Sequence, residues 1–243
     1  MQNNRVFELL DSIPENVQEQ AAPGTVESVL SQLPQNGKVL VAGAGRGGLS
    51  WLLDKAGYQV TSIDLHPEHF AIDGMQCTFG DLHAPLAYES NHFDIVLAVE
   101  VMEHLENPWF FFREAIRVIN QDGVFIFTTP NVASLMSRWT FFLTGILPYF
   151  RKESFVGCYH VTPIHPWAVD RCCLTTPAKV VDISYSRFDF PRSNDIPRHD
   201  GGLGWRRKLM DLFPLNVHTG EIACFKLVKT NSEPVIDIGV HYK

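Results

Sequence analysis

The residues from 38 to 66, KVLVAGAGRGGLSWLLDKAGYQVTSIDLH, carry the pattern that indicates the fold class. The first apolar run, 38–45, ends in glycines and predicts a short buried strand, and 48–57 then has the spacing of a helix that ends at Gly57. The next run, 58–66, predicts a second strand that ends in an acid, Asp64. A strand, a helix and a strand in this order favour a parallel, doubly wound sheet.

The remaining sequence continues this alternation and then departs from it. Strands are expected at 74–82, 92–100 and 123–131, helices at 25–33 and 107–119, and a turn at 121–123. A very apolar helical segment, 132–150, is followed by a loop rich in His, Pro and Cys. Long strands at 178–190 and 217–230 are expected to pair antiparallel at a sheet edge, with a short helix at 205–213 between them.

Composition excludes several classes of function. The 243 residues are 45% hydrophobic and 19% charged, as in a globular protein, and the net charge of −7 argues against nucleic acid as a partner. Five cysteines without a Cys-x-x-Cys pair suggest reduced thiols, the polar N-terminus is unlike a signal peptide, and no apolar run reaches the roughly 20 residues of a spanning helix. We therefore expect a cytoplasmic protein that is soluble or at most lies on the cytoplasmic face of a membrane.

The glycine loop predicts a nucleotide-type cofactor. Gly43-x-Gly45-x-x-Gly48 fits the dinucleotide fingerprint, and Gly43-x-Gly45-x-Gly47 fits the S-adenosylmethionine loop. Both rely on glycines that allow a sharp turn and a close approach of the backbone to the ligand. Asp64 ends the next strand, where a carboxylate can accept hydrogen bonds from both ribose hydroxyls. These features leave NAD and S-adenosylmethionine open.

Three motifs downstream separate the two cofactors. They are FGDL at 79–82, FDIVLAVEVMEHLENP at 93–108 and INQDGVFIFTTPN at 119–131. With them, residues 39–131 resemble the class I S-adenosylmethionine-dependent methyltransferases. The resemblance implies that Gly43, Ala44 and Gly45 lie against the methionine moiety and that Asp64 binds the ribose. It further implies that Leu65 packs on the adenine, that Asp81 and Leu82 contact the adenine edge, and that Glu100 lies at the cofactor.

Two positions depart from that family. Val41 stands where an acid usually helps to hold the methionine ammonium, and Arg46 stands where a small or polar residue is common. Cofactor affinity would then be weakened, or backbone carbonyls and water would hold the ammonium. A non-catalytic cofactor-binding or scaffold protein is therefore one alternative. An NAD(P)-dependent oxidoreductase is another, although the sequence shows neither a hydride-handling constellation nor a second domain.

The stretch AVEVMEHLENP, 98–108, predicts a metal site. A helix that begins at Val101 would point Glu100, Glu103 and His104 to one side at the carboxyl edge of the sheet, and oxygen and imidazole ligands suit Mg²⁺, Mn²⁺, Fe²⁺ or Zn²⁺. The chain is similar here to the ubiquinone-pathway O-methyltransferases and the small-RNA 2′-O-methyltransferases, which carry Glu-x-x-Glu-His after the fourth strand and a further histidine after the fifth. By position His160 matches that histidine, and His165 is the fallback.

Alternatives to this metal site remain. Methyltransferases also carry this motif without a metal, with the histidine packed near the cofactor. A zinc site of Cys158, His160, His165 and Cys172 or Cys173 has irregular spacing.

The resemblance implies an O-methyltransferase that acts on a hydroxyl of a small molecule, a glycan or a lipid-linked acceptor. A Mg²⁺ or Mn²⁺ ion would activate the hydroxyl, or His104 or His160 would act as the general base. The apolar stretch 138–150 would be a lid over the acceptor pocket, a membrane contact or a core helix.

The sequence thus predicts a single α/β domain with a Rossmann-like, seven-stranded sheet that is mostly parallel and has an antiparallel edge strand. We expect the following parts along the chain: an N-terminal helical segment at 1–37, a cofactor-binding core at 38–131, a lid and acceptor loop at 132–177, C-terminal strands at 178–230 and a tail at 231–243.

Overall fold

The computed structural model describes residues 4–17, 24–186 and 220–231. Its seven strands form one sheet in the order β3-β2-β1-β4-β5-β7-β6. The strands are β1 Lys38–Ala42, β2 Gln59–Asp64, β3 Cys77–Phe79, β4 Phe93–Ala98, β5 Ile119–Pro130, β6 Ala178–Tyr185 and β7 Ile222–Lys229. The helices are α1 Asn4–Glu8, α2 Thr25–Gln32, α3 Gly48–Ala56, α4 Pro108–Val118, α5 Leu135–Thr144, α6 Lys152–Cys158 and α7 Pro166–Cys173.

The sheet is of the predicted class. β1 to β5 pair in parallel, and β7 runs antiparallel to both of its neighbours, β5 and β6. The predicted antiparallel pair therefore does lie at the sheet edge, with β6 outermost and β7 as the reversed strand. The predicted helix at 205–213, the ends of both predicted strands and the tail beyond residue 231 lie outside the described residues.

Side chains that alternate along the strands build a core on each face of the sheet. Val39 and Val41 of β1 pack with residues of α2 and α3, whereas Leu40 and Ala42 pack with residues of α4 and α7. This alternation follows from the two-residue period of a strand. Both faces are covered by helices, as a doubly wound sheet requires.

Local structure departs from the prediction at three places. The predicted turn at 121–123 is a bulge inside β5, where the register against β4 shifts and Asp122 has a φ of 61°. The predicted helix at 132–150 ends at Thr144, because Gly145 caps it in the left-handed conformation, and a short 3-10 turn, Pro148–Phe150, precedes α6. Helices α6 and α7 occupy part of the predicted His-rich loop.

Among the residues that the structure describes, no helix combines the length and the apolar character that a bilayer crossing needs.

Candidate cofactor pocket and metal centre

A cavity of about 480 Å³ opens at the carboxyl edge of the parallel strands. This volume lies within the ~300–1,000 Å³ range of ligand pockets. Seven of the eight residues predicted to bind the cofactor line the cavity; the exception, Ala44, is buried in the core. The seven are Gly43, Gly45, Asp64, Leu65, Asp81, Leu82 and Glu100.

The glycine loop leaves β1 in a conformation that favours glycine. Gly43 has a φ of 75°, and a Cβ placed on it would lie 2.5 Å from Cγ2 of Val101. Gly45 has a φ of 52°, but a Cβ there would meet no atom within 4 Å. The N–H groups of Gly43 and Ala44 both donate to the carbonyl of Ile63, at 2.9 and 3.0 Å, which fixes the loop against β2. The loop is therefore rigid and faces open space at Gly45.

Two carboxylates at strand ends are held by backbone donors. Asp64 accepts hydrogen bonds from the N–H groups of Gly45 and His66, each at 2.8 Å. Asp81 accepts from the N–H of His83 at 2.9 Å and contacts its ring Nδ1 at 3.1 Å. The backbone hydrogen bond from His83 is the main reason that the pKa of Asp81 is lowered. Both acids are thus oriented at the cavity wall as fixed acceptors.

The two departures from the family pattern have a structural place. Val41 is only 3% exposed and packs in the core. It therefore contributes no carboxylate to the cavity. Arg46 turns away from the cavity wall, and its Nε donates to the carbonyl of Asn16 at 2.6 Å. Arg46 therefore ties the glycine loop to the N-terminal segment.

The EVMEH stretch forms a 3-10 turn, Met102–His104, in place of the predicted α-helix from Val101. The α-helix that follows begins at Pro108, where the side chain of Asn107 accepts from the N–H of Phe110. Ligand atoms of Glu103, His104 and His160 lie within 4.8 Å of one another. The structure therefore brings together three of the four predicted metal ligands.

Glu103 is the unusual member of this cluster. Its side chain is 0% exposed, and neither carboxylate oxygen has a partner in hydrogen-bonding geometry; the Thr129 hydroxyl lies close enough to lower the pKa of Glu103 but is itself buried without a partner in that geometry. Burial, reinforced by the charge of Glu100, raises the pKa of Glu103 well above its ordinary value. Buried polar groups are nearly always hydrogen-bonded, so this carboxylate lacks the compensation that a buried charge requires.

Backbone hydrogen bonds explain why a distant histidine joins this turn. The N–H groups of Val161 and Thr162 donate to the carbonyl of Glu103 at 2.9 and 3.0 Å, which places His160 beside it. Nδ1 of His160 lies 2.9 Å from the carbonyl of Tyr149, and Nδ1 of His104 lies 3.3 Å from that of Tyr159. With Nδ1 donating to a carbonyl, Nε2 carries the lone pair that a metal needs. Burial lowers the pKa of His160, which favours the neutral ring.

Glu100 does not belong to this cluster, contrary to the prediction of four ligands. It has a φ of 53°, and its carboxylate accepts from the Thr128 hydroxyl at 2.8 Å. Burial raises its pKa to about 7, while the hydrogen bond from Thr128 lowers it. The left-handed backbone at Glu100 and the 3-10 turn after it replace the α-helix that was predicted to align these carboxylates, although Glu100 stays close enough for its charge to raise the pKa of Glu103.

The alternative ligands also lie outside the cluster. In the described part of the chain, the cluster of Glu103, His104 and His160 is the one found, and it includes neither His165 nor a cysteine. The ring of His165 stacks on Trp167 at 5.8 Å instead. His66, His83 and Tyr159 line the cavity but were not predicted. Each of the three is adjacent in sequence to a predicted site residue, namely Leu65, Leu82 or His160, and this adjacency was the available signal. For Tyr159 the signal is weak, because the fold alone brings it to the cavity.

The comparisons with known proteins agree with this architecture. Residues 40–127 match the family model described as a methyltransferase domain. Solved S-adenosylmethionine-dependent methyltransferases from Archaeoglobus fulgidus and Thermotoga maritima superpose with TM-scores of 0.57 and 0.60. The superposition with the Archaeoglobus protein covers 84% of this chain and 91% of the other chain. The superposition with the Thermotoga protein covers 85% and 88%, and the sequence identity is 14% in both. The chain has the Rossmann-like fold of these methyltransferases.

A curated relative matches over a shorter region. The ubiquinone biosynthesis O-methyltransferase of Actinobacillus pleuropneumoniae is 33% identical over 107 residues, which cover 39% of this chain and 46% of the relative. The chain thus aligns with about half the length of that methyltransferase.

Proposed function

We propose that this protein is an S-adenosylmethionine-dependent O-methyltransferase that acts on a hydroxyl of a small molecule with the help of a divalent cation. The matched methyltransferase domain supports the reaction type, and the relatives named as ubiquinone biosynthesis O-methyltransferases support oxygen as the acceptor atom. The proposal depends most on one observation, the buried and unpartnered carboxylate of Glu103 beside two histidines.

The cavity suits the cofactor. Gly45 faces open space for the methionine moiety, Asp64 offers acceptors to the ribose hydroxyls, and Asp81, which lines the same cavity, would accept from the adenine amino group. Leu65 is 50% exposed at the cavity wall, so that an adenine ring packed on it would remove apolar surface from water. With Val41 in the core, the methionine ammonium must be held by backbone carbonyls, by water or by Glu100, which lines the same cavity.

The cluster suits a divalent cation. Glu103, His104 and His160 would be its ligands, and the positive charge would compensate the buried carboxylate of Glu103. A cation bound there would lower the pKa of an acceptor hydroxyl and so favour the nucleophilic alkoxide. His104 lines the cavity proposed to hold the cofactor, so an acceptor held at the cluster would lie at the wall of that cavity. The protein would thereby align the acceptor oxygen with the methyl group.

The test measures release of S-adenosylhomocysteine from S-adenosylmethionine in the presence of a panel of phenolic and sugar hydroxyl acceptors. We expect turnover with at least one acceptor, its loss in EDTA and its recovery with Mg²⁺ or Mn²⁺. Undiminished turnover in EDTA would remove the cation from the proposal and make His104 the candidate general base. An absence of both turnover and cofactor binding would favour the non-catalytic scaffold.

A further inference from the structure

The α5–α6 segment, residues 135–158, exposes an unusual amount of apolar surface. Phe142 and Val156 are 77% and 76% exposed, and Trp139, Phe141, Leu143 and Phe155 are each about half exposed. Monomeric proteins rarely expose a contiguous apolar patch of this kind without a binding role. We call these six side chains the apolar patch.

Helix α5 buries a polar residue and exposes apolar ones, the opposite of a typical surface helix of a globular protein. Its buried residue is Ser137, whose hydroxyl donates to the carbonyl of Asn131 at 2.9 Å and accepts from Ser134. Four large apolar side chains point outward instead: Trp139, Phe141, Phe142 and Leu143. A helix normally buries its apolar stripe against a core, whereas a helix that lies in a membrane interface turns that stripe outward.

Charge favours an anionic lipid surface as the occupant. The segment carries three cations, Arg138, Arg151 and Lys152, and one acid, Glu153, although the whole chain has a net charge of −7. All three cations are exposed. Arg171 lies 4.7 Å above the ring of Trp167, which is 55% exposed, and Arg138 is close enough to add to the effect of burial in lowering the pKa of His165. Tryptophan and basic side chains are the residues enriched at membrane interfaces.

The segment is joined directly to the metal cluster. The carbonyl of Tyr149, between α5 and α6, contacts His160, and the carbonyl of Tyr159, which follows α6, contacts His104. Tyr159 also lines the cofactor cavity. A bilayer held against the apolar patch would therefore lie next to the mouth of that cavity.

We infer that the α5–α6 segment inserts into the interface of an anionic lipid bilayer and presents the cavity to acceptors dissolved in that membrane. The aromatic and aliphatic side chains enter the acyl boundary, and the three cations bind the headgroup phosphates. Membrane binding is a property separate from the proposed methyl transfer, and it can be measured without turnover. A protein that fails to bind lipid can therefore be distinguished from one that fails to transfer methyl groups.

The test is sedimentation of the purified full chain with vesicles of phosphatidylcholine alone or mixed with phosphatidylglycerol. We expect binding that is stronger on the mixed vesicles and weakens with salt. The double variant Phe141→Ser and Phe142→Ser should bind at least about tenfold more weakly. The double variant Arg151→Gln and Lys152→Gln should lose roughly fivefold per cation on the mixed vesicles, with little change on phosphatidylcholine.

Matched controls keep the test interpretable. Val181→Ser removes an exposed apolar side chain from β6, and Lys55→Gln with Lys179→Gln removes two exposed cations remote from the segment; each should bind as the wild type does. Unfolding temperatures verify that every variant is folded. No binding by the wild type, equal binding to both vesicle types, or variants that bind as the wild type does would each overturn the inference. Reversible dimerisation through the apolar patch, in place of vesicle binding, would do so too.

Discussion

Two glycines of the glycine loop, Gly43 and Gly45, differ in how much a side chain would disturb the structure. Gly43→Ala places a Cβ 2.5 Å from Val101 and requires a φ of 75°, whereas Gly45→Ala meets only the strain of a φ of 52°. We expect urea unfolding to show a loss of roughly 3 kcal/mol for Gly43→Ala and about 1 kcal/mol for Gly45→Ala. The latter should still bind S-adenosylhomocysteine more weakly, because its methyl group projects into the open space beside the loop.

Val101→Ala provides the check on this explanation. Combined with Gly43→Ala it should restore part of the lost stability, since it removes the methyl group that clashes. A double variant no more stable than the sum of the two single changes would contradict the steric origin.

Glu103 provides a test of cation binding that needs no acceptor. Saturating Mn²⁺ should raise the unfolding temperature of metal-free wild type by on the order of 5 °C, because ligands that bind only the folded state stabilise it. Glu103→Gln should abolish this increase, while Glu89→Gln, an exposed control, should retain it. An equal increase in both variants would show that the ion binds elsewhere.

The site was predictable from sequence where it depends on strand ends. Asp64 ends β2 and Asp81 follows β3, and parallel strands bring their carboxyl ends to one edge. The local geometry of the EVMEH stretch was not predictable in the same way, because the spacing of Glu100 and Glu103 does not reveal a left-handed residue followed by a 3-10 turn. The position of the loop after the fifth strand offered both His160 and His165, and the family resemblance favoured His160; two backbone hydrogen bonds to Glu103 hold its loop in place.

Among the helices and strands, those whose apolar residues follow a single periodicity were predicted correctly. α3, β1 and β4 have clean apolar patterns, so only their bounds shifted, whereas the strand predicted at 74–82 shortens to Cys77–Phe79, of which two residues are exposed. The bulge in β5 was read as a turn because Asp122 and Gly123 are turn residues, yet pairing with β4 on both sides keeps the strand continuous. The missed α7 is a short helix that begins at Pro166, and its composition of tryptophan, arginine and cysteines gives a weak helical signal.

An ion pair within helix α4 attaches the helix to the β3–β4 connection through hydrogen bonds. Glu114 accepts from Arg117 at 2.7 Å and from the N–H of Leu86 at 2.8 Å, and Arg117 also donates to the carbonyls of Leu86 and Tyr88. We expect Glu114→Gln to lower the free energy of unfolding by about 1–3 kcal/mol near neutral pH. Glu89→Gln, in the same connection, is the exposed control.

This contact also has a defined pH dependence. The hydrogen bond from Arg117 is the largest cause that lowers the pKa of Glu114 below its ordinary value of 4.5. The stabilisation from this contact is therefore present above pH 4.5, and it is lost as the pH falls through the lowered pKa of Glu114. Wild type and Glu114→Gln should converge in stability on acidification, as measured by urea unfolding, and a difference independent of pH would contradict the assignment.

Over the whole molecule, the candidate site is formed by one arrangement of the sheet. The carboxyl ends of β1, β2, β3 and β4 bring Gly45, Asp64, Asp81 and His104 around a single cavity, although these residues are distant in sequence. The metal cluster and the α5–α6 segment adjoin that cavity, so the proposed cofactor, cation and membrane surfaces all meet at one edge of the sheet.

The most direct test of this arrangement is titration calorimetry with S-adenosylhomocysteine. We predict saturable binding of one molecule per chain to the wild type. Asp64→Asn should weaken it by at least about tenfold, because hydrogen bonds to a charged group contribute roughly 1.5–3 kcal/mol. Asp73→Asn, an exposed acid outside the cavity lining, should leave the affinity unchanged. Absent binding, or binding that Asp64→Asn does not affect, would contradict the account.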